Sequence, residues 1–130
     1  MKSLLLILLL VLNVAAAEAL PAPTLDMLVA DVLSGDDGPR QARARQLLPM
    51  RGPDAAWKML PLLDDPRPAV SFTAMRILED VIHETGFRGG TEDKERVANA
   101  VFALVVPSSS DRQKEAGLRL LPYVVSEEHP

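Results

Sequence analysis

The chain uses one local device more than once. A turn with two aspartates and a proline leads into alanine and leucine at helical spacing. VLSGDDGPRQARARQLL ends at Leu48, and LLDDPRPAVSFTAMRIL runs from Leu62 to Leu78. Ala74 lies thirty residues after Ala44, and Ala116 forty-two after Ala74; Leu48, Leu78 and Leu120 keep the same offsets. Apolar residues three and four apart mark one face of a helix. Such a face is stable only when another element covers it, so a repeating unit of this length dictates helix pairs that bury one another.

The same spacing places six helices. Thr24 is positioned to cap a first helix, with Leu25, Leu28, Val29, Val32 and Leu33 inward, ended by Ser34-Gly35. A second is expected over 41–50, and a third over 55–63 with Pro61 tolerated as a kink. The fourth, over 69–84, should be capped by Asp65 with Pro66 in its first position. Residues 85–90 are expected to form the longest loop, after which Thr91 caps a helix running to Val106. Ser110 and Gln113 match a capping box for the last helix, over 111–125. Trp57 is expected between helices, and Arg43 and Thr73 on the outside. Paired in order, the helices give an all-α fold, a short right-handed α-solenoid of about three antiparallel hairpins.

The chain starts with Met1-Lys2, an apolar run from Leu4 to Leu12, and A-x-A sites ending at Ala17 and Ala19. These are the parts of a cleaved secretory signal; the run falls short of the roughly 20 residues of a spanning helix. The expected organisation is a signal peptide over 1–19, a stiff linker over 20–24, the repeat domain over 25–125 and a tail over 126–130. The expected location is periplasmic or secreted, with no stable membrane insertion after cleavage. Loss of residues 1–19 removes Lys2 and Glu18 together and leaves the net charge at −4. That acidity argues against a nucleic-acid partner. Without cysteine there is no disulfide, so an aliphatic core must hold the chain by packing alone.

At Leu60-Pro61-Leu62-Leu63-Asp64-Asp65-Pro66, with Val70, Ala74 and Leu78, the chain resembles the HEAT-repeat family. The resemblance is to the short bacterial type, the phycobilisome-lyase-like repeats, and to armadillo-like solenoids more broadly. The family pattern is an acidic turn, often with Asp-Pro, then Val-Arg-x-x-Ala-x-x-x-Leu. Ser71 stands where the family has arginine, and Arg40 and Arg112 where it has valine. The resemblance covers Leu25 to Val125 and implies a non-enzymatic scaffold or adaptor that binds another protein. The alternative it implies is an enzyme-associated module of the lyase-like type.

No catalytic constellation emerges from the residues. Calcium needs about six or more converging oxygens, so the pairs Asp36-Asp37 and Asp64-Asp65 read as helix-start caps. His83 and His129 lack the further ligands of a zinc site. Gly86-Phe87-Arg88-Gly89-Gly90 lacks the Gly-Lys-Ser/Thr ending of a phosphate loop. No cofactor is called for. The candidate partner-binding residues are Arg40 and Arg43, on the exposed side of a second helix, with Phe72 and Arg76 on the next. Arginine engages carboxylates and phosphates in bidentate fashion.

Overall fold

A computed structural model describes residues 21–125. Helix α1 (Leu25–Leu33) starts at Thr24, whose hydroxyl accepts the Met27 N–H at 3.2 Å. Helix α2 (Pro39–Leu47) has proline in its first turn and passes into a 3-10 turn, Leu48–Arg51. Gly52, at φ 66, turns the chain into α3 (Pro53–Met59), a backbone conformation that side chains with a Cβ avoid. A second 3-10 turn, Pro61–Asp64, leads to α4 (Pro68–Arg88). Helices α5 (Thr91–Ala103) and α6 (Asp111–Val125) complete the chain. Both arms of the Ser110–Gln113 box form, at 3.2 and 3.1 Å.

The structure departs from the sequence reading at several places, each with a local cause. Pro61 ends α3 instead of kinking it, because it has no N–H to continue the ladder. Pro68, not Pro66, opens α4, and Arg67 is its N-cap. Asp65 accepts the Arg67 N–H at 2.9 Å and its guanidinium at 3.0 Å, bracing the turn without capping the helix. Glycines 38 and 90 precede α2 and α5 with no side-chain cap, so neither Asp37 nor Thr91 serves as one. Residues 85–88 are helical: Thr85 is buried, and only Gly89-Gly90 separates α4 from α5. Helix α5 stops at Ala103. Trp57 and Leu33 are substantially exposed, and Thr73 is half-buried.

The protein is all-helical across the described residues. Helices α1 and α2, α3 and α4, and α5 and α6 pack as successive pairs. First helices also touch first helices (α1 on α3, α3 on α5), and second helices touch second helices (α2 on α4, α4 on α6). The middle pair therefore lies against both others. Ala44, Ala74 and Ala116 are all buried, as are Leu48, Leu78 and Leu120, within one continuous core from Leu28 to Leu120.

Polar side chains tie the pairs together. The Gln41 amide donates to the Ala69 carbonyl at 3.0 Å, and Thr73 donates to its oxygen at 3.4 Å. Gln113, in the same register on α6, donates to the Leu60 carbonyl at 3.2 Å. Ser110 donates to Asp64 at 2.5 Å, and Arg112 to the Asp65 carbonyl at 3.2 Å. The second acidic turn is thus a joint with the following pair. Among the described residues no buried side-chain polar atom lacks a partner.

Two substitutions test the close approaches. Ala74→Leu should overpack the centre and cost about 1–3 kcal/mol, while exposed Arg76→Leu should stay within about 0.5 kcal/mol. Gly117→Ala would gain about 1 kcal/mol of helix propensity on an open surface. Here the new Cβ would stand 2.6 Å from Val105 Cγ1 and 2.8 Å from Leu104 Cβ, so it should lower the Tm. Thermal unfolding of the three variants decides both points.

Candidate functional site

A recess in two parts lies between second helices α4 and α6. One hollow, of about 270 Å³, has Leu63, Pro66, Pro68, Met75 and Ala116 on its apolar lining, with Phe72 at its edge. A second, of about 360 Å³, is lined by Ile82, His83, Leu120 and Tyr123. Arg119 borders both, and its guanidinium reaches Glu79 across the groove at 3.9 Å. Both partners are well exposed, so this contact contributes little to stability. Phe72 is 75% exposed and Tyr123 59%. Helical spacing creates the groove. Phe72, Met75, Glu79 and Ile82 form one stripe of α4, and Arg112, Ala116, Arg119 and Tyr123 the facing stripe of α6.

The structure separates the four sequence-derived candidates. Phe72 stands at the groove. Arg76 is exposed on α4 and makes no ion pair among the described residues. Arg40 and Arg43 converge instead on Asp31 of α1, a residue the sequence reading passed over. Arg40 Nε donates to Asp31 Oδ1 at 3.0 Å, and Arg43 Nη2 to Oδ2 at 2.7 Å. The Asp31 side chain is only 4% exposed, against 58% and 46% for the two arginines. An acid inside an apolar helix, ahead of two arginines three apart after a short turn, was the available signal. Each guanidinium keeps an outer edge in solvent while its inner edge holds α2 to α1.

The hydrogen bond from Arg43 is the main reason that the Asp31 carboxyl titrates below its ordinary value; Arg40 adds to the shift and burial opposes it. Asp65 is also held low, chiefly by the Arg67 guanidinium and then by the Arg67 N–H. The remaining candidates have structural surroundings. His83 lines the second hollow. His129 and the signal-like start lie outside the described residues. Among the described residues no group of three or more histidine, aspartate or glutamate side chains could hold a metal, and no helix is long and apolar enough to cross a membrane.

The chain matches no protein-family model, no curated protein and no solved structure.

The Asp31 contact has a definite pH signature. A carboxyl with a lowered folded-state pKa adds stability that is complete above its unfolded value, near 3.8. That stability is lost as pH falls through the folded value. At neutral pH Asp31→Asn should cost about 1–3 kcal/mol, towards the lower end because the arginines are half exposed. Urea midpoints of the two proteins should differ at neutral pH and draw together as the pH falls through the folded-state value, which lies below 3.8. A constant gap down to that pH would show that the charge is not what matters.

Proposed function

We propose that the chain is an exported, HEAT-like helical-repeat protein that binds another protein without catalysing a reaction on it. The observation that carries this reading is the α4–α6 groove, an open, apolar trough edged by exposed Phe72 and Tyr123. Monomeric proteins rarely leave aromatics beside an apolar recess without use for them, and aromatic residues are enriched where proteins meet. Successive helix pairs with their second helices side by side support the α-solenoid reading, and such arrays present long surfaces suited to extended partners. Glutamines 41 and 113, in the same register before Ala44 and Ala116 and each bonding into the middle pair, add support, since one position in the unit does the same work twice.

In this reading Phe72 contacts the partner, Arg76 borders the contact surface, and Arg40 and Arg43 hold α2 in place while offering their outer edges. Export rests on the first nineteen residues. The protein isolated from its host should begin at Glu18 or Leu20, and N-terminal sequencing that returned Met1 on membrane-embedded material would remove that part.

Site-directed crosslinking tests the binding surface. A photoreactive residue in place of Phe72 should capture a protein from the exported fraction of the host, and the capture should disappear when Met75→Glu is added. The same residue in place of Phe87, 91% exposed near the end of α4, should capture little. Equal capture at both positions, or none at Phe72, would reject the groove as the binding surface.

A further inference from the structure

Charge is divided between the two helix layers. Helices α2, α4 and α6 carry eight basic and five acidic side chains, a net +3, whereas α1, α3 and α5 carry three basic and six acidic, a net −3. The whole chain is at −4, so the layer that holds the groove opposes the overall sign. The two arginines on the α6 wall are weakly neutralised. Arg112 donates to a neutral carbonyl, that of Asp65, and Arg119 meets Glu79 only at 3.9 Å with 67% of its side chain exposed.

Their separation fixes what they could read. Arg112 and Arg119 are seven residues apart, roughly 10 Å along the axis at a rise of about 1.5 Å per residue. A segment in the polyproline II conformation rises about 3.1 Å per residue and returns to the same face every third residue, so carboxylates at i and i+3, about 9 Å apart on one face, would reach both. Glu115 lies between the arginines on the same face and borders the first hollow. It repels a third carboxylate there and favours an apolar side chain over Ala116.

We propose that the groove receives an extended acidic segment of a partner protein. Two carboxylates, three positions apart, sit on Arg112 and Arg119, and the apolar side chains between and beside them fill the hollows. The inference rests on the protein-binding reading above and adds the chemistry of the partner. Nucleic acid fits less well, because two arginines flanking a glutamate do not follow a phosphate backbone and the hollows are apolar.

The test uses the full chain and labelled synthetic octapeptides followed by fluorescence anisotropy. One peptide has two glutamates three positions apart around a pair of leucines; the control has lysines in their place. A third probe is a short single-stranded DNA of equal net charge. The acidic peptide should bind about tenfold or more tightly than the lysine peptide, and more weakly as salt rises. The double variant Arg112→Gln/Arg119→Gln should remove that preference while residual leucine-driven binding persists, and Phe72→Ala should weaken both peptides. All variants should keep the wild-type circular dichroism spectrum. Equal binding of the two peptides, no binding of the acidic one at millimolar concentration, or tighter binding of the DNA would each overturn the proposal. Crosslinking at Phe72 to a neutral or basic segment would overturn it too, while leaving the protein-binding reading intact.

Discussion

Everything in this molecule leans on α4. Helices α1, α2 and α3 have nine, nine and seven residues, and isolated helices shorter than about 12–15 residues are marginal in water. None of the three holds itself, and no cysteine is available to staple them. Helix α4 has 21 residues and buries Val70, Ala74, Ile77, Leu78, Val81 and Ile82 along one stripe. The other five helices and both 3-10 turns pack against it. The short helices exist because α4 gives each an apolar surface to cover, and the joint from Gln41 to the Ala69 carbonyl sets where along that surface α2 sits.

Much of this was legible in the sequence because it depends on periodicity. The six helices, the buried alanine and leucine positions and the Ser110–Gln113 box follow from three-and-four spacing and local capping chemistry. What was not legible depends on partners distant in sequence. Asp31 carries no signal of its own within α1, and its role exists only because α2 brings Arg40 and Arg43 over it. Asp64 looked like a helix cap until α6 placed Ser110 against it. Residues 85–88 contain a glycine and looked like loop, yet burial of Thr85 continues the helix through them. Tertiary burial overrides propensity at such places.

The candidate site was half legible. Phe72 stands out from its own helix stripe, but a groove needs a second wall. The wall that α6 supplies, with Arg112, Arg119 and Tyr123, becomes a recess only once the two helices lie side by side. The arginine cluster drew attention because like charges crowd one short helix; its principal work is to satisfy a buried acid, leaving the surface role to the parts of each guanidinium that face water.

The Asp31 contact also bears on how the molecule opens. Helix pairs that touch only along one side loosen before those held on both, and native proteins open in such cooperative segments. Among the described residues the α1–α2 pair is held on one side, by the middle pair, and it contributes Leu28, Val32, Ala44 and Leu48 to the core. A buried charge bridging those two helices works as a latch on this end: it makes them leave together or not at all. Protonation releases the latch at one extremity while the centre stays shut. Acid strong enough to protonate a carboxyl held below its ordinary value would thus open the protein from its amino-terminal side, with amide exchange accelerating in α1 and α2 before it does in α4.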